Sequence, residues 1–67
     1  MKSAQEMLTF LFAVSWTKAN VAKALGTTTT VVRHWAQGEQ KPRREAYKKL
    51  WKLYQQVKKE FQIEGED

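Results

Sequence analysis

The apolar residues of this 67-residue chain recur at helical spacing in four stretches, which polar or turn-forming residues separate. The first stretch predicts a helix over residues 3–14, because Ser3 and Glu6 have the spacing of a capping box and apolar residues follow them every three or four positions. The second stretch predicts a helix over residues 17–25, which begins at a threonine suited to capping and ends at Gly26.

The third stretch follows four consecutive threonines, residues 27–30. Because β-branched residues favour strands, a strand is one interpretation of this run, but no neighbouring run offers it a partner. We therefore predict a helix over residues 28–37, with Thr28 (or Thr27) as its N-cap residue and Gly38 as its terminator. The side chains predicted to form its buried face are Val31 or Val32, together with Trp35.

The fourth stretch predicts a long helix over residues 42–63, followed by an acidic tail at residues 64–67. Pro42 suits the first turn of a helix. One arc of this helix carries the apolar side chains of Ala46, Tyr47, Leu50, Trp51, Leu53, Tyr54, Val57 and Phe61. A helix of about 20 residues is some 30 Å long, so its last two turns are predicted to project past the other three helices. The predicted fold class is all-α, a single small helix-turn-helix bundle of four helices.

The projecting end of the last helix is predicted to associate with a second copy of the chain. Little of the chain remains to cover it, and an exposed apolar helix end is a typical association surface. The predicted homodimer interface consists of Tyr54, Val57 and Phe61. The alternative is a monomer whose last helix frays.

The second and third predicted helices, with a tight turn at Gly26, form a helix-turn-helix. Ala22 supplies the small side chain needed where the two helices cross, and Gly26 tolerates the positive φ of the turn. The outward face of the second helix of this pair is then left free to meet a partner, most simply the major groove of DNA. That face carries Thr29, Thr30, Arg33 and His34.

The charge distribution favours an anionic partner. The net charge is +5, but the segment from Lys18 to Lys59 has eleven basic residues and two acidic ones, a local balance of +9. Residues 60–67 carry four acids and no base. A basic body favours nucleic acid ahead of a membrane surface. The sequence contains neither a convincing secretory signal nor a run long enough to span a bilayer, so we expect a cytoplasmic protein.

The composition argues against catalysis and against metal or cofactor binding. The chain has no cysteine, so it has no disulfide and no thiolate metal site, and the single histidine, His34, cannot hold a metal by itself. The sequence offers no paired acids, no nucleophile with a neighbouring base and no phosphate-cradling glycine loop. We therefore expect neither an enzyme nor a cofactor.

A set of residues stands at fixed spacing: Ala22-x-x-Leu25-Gly26, Thr28, Val31-Val32, Trp35-x-x-Gly38 and Pro42. This set resembles the phage repressor and Cro type of helix-turn-helix domain. The resemblance implies a four- or five-helix domain that binds operator DNA, usually as a two-fold dimer. It implies that Lys18 contacts a backbone phosphate, that Thr28, Thr29 and Thr30 form the base- and phosphate-facing start of the recognition helix, and that Arg33 and His34 occupy its later exposed positions.

Alternatives remain for each polar candidate. A guanidinium at Arg33 can pair with both acceptors of a guanine, but the side chain can equally contact phosphate or solvent. For His34 the alternative is an incidental contact. Lys41, Arg43 and Arg44 surround the predicted start of the last helix, where each cation is unfavourable by about 0.3–1 kcal/mol. A phosphate bound there would offset that cost; the alternative is a solvated basic turn.

The function predicted from these features is sequence-specific binding of double-stranded DNA by a transcriptional regulator. A repressor of phage, plasmid or bacterial type would act by occupying an operator. The alternative is a protein-binding adaptor or antitoxin-like module that uses its C-terminal helix to hold a partner.

Overall fold

The computed structural model describes the backbone of residues 2–65 and the side chains of residues 2–61. That part of the chain folds into four α-helices and contains no strand, which confirms the all-α fold class and rules out a strand at the threonine run. The helices are α1 (Ala4–Ala13), α2 (Lys18–Leu25), α3 (Thr29–Gln37) and α4 (Arg44–Gly65). None of them is long and apolar enough to cross a bilayer.

The first three helices begin at the side-chain caps that the sequence predicts. Ser3 and Glu6 form a complete capping box at the start of α1. The Ser3 hydroxyl accepts from the Glu6 N–H at 3.1 Å, and the Glu6 carboxylate accepts from the Ser3 N–H at 3.2 Å. The hydroxyls of Thr17 and Thr28 each accept from the N–H three residues later, at 3.0 and 3.2 Å. Thr28, not Thr27, is therefore the cap of α3.

The same three helices also end alike. Each is followed by a residue in the left-handed conformation, namely Ser15 (φ 84°), Gly26 (φ 72°) and Gly38 (φ 80°). In each case the next N–H reaches back five residues to a helical carbonyl at 2.9 Å, which satisfies a carbonyl that the helix end would otherwise leave unpaired. Ser15 adopts this conformation at a steric cost that glycine avoids.

An apolar core lies between the helices. α1 packs on α3 and α4, and α2 packs on α3 and, over a smaller area, on α4. The predicted buried face of α3 is confirmed, since Val32 and Trp35 are both buried. Ala22 is also buried, on α2, and α2 packs against α3. The buried side chains are those of Ala4, Met7, Leu8, Leu11, Val21, Ala22, Leu25, Val32, Trp35, Leu50, Tyr54 and Val57.

The last helix begins two residues later than predicted, at Arg44 rather than Pro42. Its first turn closes when the Tyr47 N–H donates to the Arg43 carbonyl at 2.7 Å. Pro42 lies in the preceding loop and, with Trp35 and Tyr47, lines the cavity where the starts of α1 and α4 meet the end of α3. The Tyr47 hydroxyl donates to the Lys2 carbonyl and so ties the first turn of α4 to the beginning of the chain.

The prediction that Val57 lies uncovered was wrong, and Tyr54, which was predicted to belong to the dimer interface, is buried as well. Each is only 3% exposed within a single chain, while Phe61 is 59% exposed. The Phe10 ring of α1 packs edge-on against Tyr54, with ring centroids 5.3 Å apart. The other helices thus cover α4 as far as Val57, one turn further than the length estimate suggested. Of the three predicted interface residues, only Phe61 is available to a partner.

Candidate nucleic acid interface

The outward face of α3 carries polar side chains that are exposed to solvent. Thr29, Thr30 and Arg33 are exposed, as predicted, because the opposite side of the helix packs into the core. Arg33 has no carboxylate within 4.0 Å among the described side chains. The face therefore presents two hydroxyls and a guanidinium to solvent on one rigid helix.

Gln37 extends this face, and the sequence analysis missed it. Its side chain is exposed, and it follows Thr30 and Arg33 by seven and four residues, which places all three on one side of the helix. Helical spacing alone could have identified it. A glutamine amide can bond both the N6 and N7 positions of an adenine, so Gln37 adds a second side chain capable of reading a base.

His34 is less available than the sequence suggested. Its side chain is 32% exposed, and Nε2 lies 3.8 Å from a carboxylate oxygen of Glu39. The cause is the turn after α3: the left-handed conformation of Gly38 folds the chain back, and the Glu39 N–H donates to the His34 carbonyl at 2.9 Å. The imidazole thus borders the outward face and already has an acidic neighbour, which favours an incidental contact over base reading.

Thr28 and Lys18 each have a contact within the chain that limits what else they can do. The Thr28 hydroxyl oxygen accepts from the Val31 N–H, so its O–H remains as a donor, which suits a phosphate oxygen. Lys18 is exposed on the first turn of α2, and its Nζ lies 5.2 Å from the centre of the Phe12 ring. That cation–π contact places the ammonium beside α1 without burying it.

A cluster of cations surrounds the start of α4. Lys41, Arg43 and Arg44 are all exposed, and no described carboxylate lies within 4.0 Å of any of them. Lys41 lines the same corner as Gly38 and Trp35, so the cluster adjoins the C-terminal end of α3. The first turn also carries Glu45, a favourable anion at a helix N-terminus.

Few basic side chains of the described part have a carboxylate partner among the described residues. Over residues 2–61, the single salt bridge within 4.0 Å is that between His34 and Glu39. Within that range the lysines and arginines of α2, α3 and α4 have no carboxylate partner, while Lys18 and Lys58 lie over the rings of Phe12 and Tyr54. Groups of three or more metal-ligating side chains are absent from the same part of the chain.

The fold and this surface define a four-helix helix-turn-helix protein with a basic exterior. Comparison with models of known families, with curated proteins and with solved structures finds no match for the chain. The resemblance to the phage repressor and Cro type of domain therefore stays a prediction, which depends on the residues quoted for it.

Proposed function

We propose that this protein is a transcriptional regulator that binds double-stranded DNA sequence-specifically and acts in the cytoplasm as a repressor of phage, plasmid or bacterial type. The observation that carries the proposal is the outward face of α3. Thr30, Arg33 and Gln37 stand exposed on a helix whose other side is fixed in the core. A rigid helix with free hydrogen-bonding side chains is the element that reads base edges in the major groove.

The surrounding charge supports DNA over other partners. The exposed cations Lys41, Arg43 and Arg44 adjoin the end of α3 and have no intramolecular counter-ion among the described residues. Contacts from such cations to backbone phosphates would release condensed counter-ions and fix the position of α3 on the duplex. At the opposite end of α3, the Thr28 hydroxyl caps the helix through its oxygen, so its O–H can still donate to a phosphate.

Binding as a dimer would fit an operator with two half-sites. Two recognition helices that occupy successive major grooves on one face of DNA lie about 34 Å apart. The end of α4 supplies the proposed contact between copies, with Phe61 as its exposed apolar residue. Occupation of the operator would then block access to it; no ligand, metal or chemical step is required.

The first experiment is a selection of bound sequences from random DNA, followed by anisotropy titrations of the selected duplex at several salt concentrations. Phosphate contacts predict a linear fall of log K with log salt. Arg43→Ala should reduce the steepness of that slope by about one. Lys49→Ala is the control, since it removes an exposed cation of α4 that belongs neither to the cluster at the start of the helix nor to the proposed contact between copies. A salt-independent affinity would exclude the proposal.

A second titration series separates base reading from phosphate contact. Arg33→Ala should cost about 1–3 kcal/mol on the selected sequence if the guanidinium pairs with a guanine. The same variant should bind random DNA almost as well as the wild type does. An equal loss on both duplexes would assign Arg33 to the backbone instead.

The exposure of Phe61 favours one alternative, an adaptor or antitoxin-like module that grips a protein partner with α4. In that case Phe61→Asp should abolish complex formation, while Arg33→Ala should leave it unchanged. Val57→Asp is not a usable test, because Val57 belongs to the core.

A further inference from the structure

A groove with an apolar floor and a basic rim lies along the first half of α4. We call it the Trp51 groove; it has a volume of about 640 Å³ and is lined by Pro42, Arg44, Tyr47, Lys48, Trp51 and Lys52. The proline and the two aromatic rings are half-buried and form the floor. Because the Tyr47 hydroxyl is bonded to the Lys2 carbonyl, that polar atom is already satisfied within the chain.

The rim of the Trp51 groove is positively charged. Arg44, Lys48 and Lys52 are exposed, and none has a carboxylate within 4.0 Å among the described side chains. No acidic residue lines the groove. Its chemistry therefore fits a segment that places an apolar side chain on the aromatic floor and carboxylates against the surrounding cations.

The C-terminal end of this chain has that composition. Residues 60–67 contain four acids and no base, together with Phe61 and Ile63. Phe61 is the exposed large apolar side chain of the described part of the protein. The charge of this segment is opposite to that of the groove rim.

The segment cannot reach the groove of its own chain. α4 is one helix from Arg44 to Gly65, so Phe61 lies ten positions, or about 15 Å of helix axis, beyond Trp51. Residues 66 and 67 extend at most about 7 Å beyond Gly65, so they cannot return to Trp51 either. If residues 60–67 occupy the groove, they must therefore come from a second copy.

We propose that the Trp51 groove binds residues 60–67 of a second copy, so that two antiparallel α4 helices exchange their ends in a two-fold dimer. The groove of each copy then binds the acidic end of the other copy, so the assembly stops at two copies. The basic beginning of each α4 helix faces the acidic end of its partner. This inference rests on the self-association in the proposed function but is independent of DNA binding.

The test measures association of the full-length protein by analytical ultracentrifugation without DNA. Lys48→Glu with Lys52→Glu reverses two rim charges, and neither residue belongs to the proposed DNA interface. The matched control is Lys23→Glu with Lys49→Glu, which makes the same charge change at exposed positions outside the groove. We expect the groove variant to weaken the dimer at least tenfold and the control to change it less than threefold.

The decisive experiment reverses the charges of the tail and then mixes the two charge-reversed variants. Glu64→Lys with Glu66→Lys should also weaken self-association at least tenfold. A mixture of this tail variant with the groove variant should form a heterodimer, because the glutamates introduced into one groove then meet the lysines introduced into the other copy's tail, and the second groove and tail are those of the wild type. The outcome does not depend on either variant alone, so a folding defect in one of them cannot imitate it.

Three results would overturn the inference. The wild type could remain a monomer at millimolar concentration, the mixed variants could fail to associate, or Phe61→Asp could dissociate a dimer that the groove variant leaves intact. Nucleic acid is the competing occupant of a basic groove with an aromatic floor. A groove variant that loses DNA affinity relative to the control, with unchanged self-association, would assign the groove to DNA and reject the exchanged ends.

Discussion

The helix-turn-helix and α4 are held in place by different interactions. Local signals define α2 and α3, because each begins at a threonine cap and ends at a glycine in the left-handed conformation. α4 begins at a backbone hydrogen bond from Tyr47 to Arg43 and is fixed by contacts with residues more than forty positions away. Local interactions thus decide where α2 and α3 begin and end, and long-range packing decides where the last helix lies.

Substitutions near the end of α4 should show the strongest contrast. Val57→Asp places a charge at a site that is 3% exposed, where it has no partner, and should destabilise the fold by about 3 kcal/mol or more. Phe61→Asp, one turn later and 59% exposed, should change the free energy of unfolding of the dissociated monomer by less than about 0.5 kcal/mol. Urea unfolding followed by circular dichroism measures both. Equal losses would mean that the other helices cover α4 beyond Val57.

The local signals of the helix-turn-helix can be tested at the threonine run. Thr28→Ala removes the hydroxyl that accepts from the Val31 N–H at 3.2 Å and should cost about 1 kcal/mol. Thr27→Ala is the control, because Thr27 caps nothing. Similar losses in the two variants would show that the cap is not what positions α3.

The long-range attachment of α4 can be tested at its first turn. Tyr47→Phe keeps the ring but removes the hydroxyl that donates to the Lys2 carbonyl, so it should cost about 0.5–1.5 kcal/mol. Amide hydrogen exchange should then speed up at the start of α1 and of α4, while α2 and α3 change little. Uniform acceleration over all four helices would contradict the separation between the two regions.

The smallest expected effect is a gain, at the end of α1. Ser15 has φ 84°, a conformation that glycine adopts without the steric cost. Ser15→Gly should stabilise the protein by up to about 1 kcal/mol, reduced by the greater flexibility of the unfolded chain. The inverse change, Gly26→Ala, should destabilise by a similar amount, since φ is 72° and a methyl group there meets nothing within 4 Å. Thermal unfolding of both variants provides the comparison.

The features predicted well from the sequence are those that neighbouring residues determine. The cap of α3 and its terminator at Gly38 follow from side-chain chemistry within a few positions. The buried positions of Val32 and Trp35 follow from helical spacing. The same spacing would have added Gln37 to the outward face.

The features predicted poorly depend on residues far apart in the chain. The burial of Val57 depends on how far the other helices extend along α4, which periodicity within α4 cannot give. The tie between the first turn of α4 and the beginning of the chain depends on the Tyr47 hydroxyl reaching the Lys2 carbonyl, 45 positions away. The position of Glu39 beside His34 depends on the direction of the chain after Gly38.

The bond between Tyr47 and Lys2 joins residues 45 positions apart, and that separation has a consequence for the order of folding. Contacts between α2 and α3 close short loops, whereas those between α1 and α4 must close a loop of most of the chain and so form later. During synthesis, the apolar side of α1 has no α4 to pack against until the last third of the chain has been made. We therefore expect the helix-turn-helix to be largely formed in the folding transition state. The contacts between α1 and α4 should form after it.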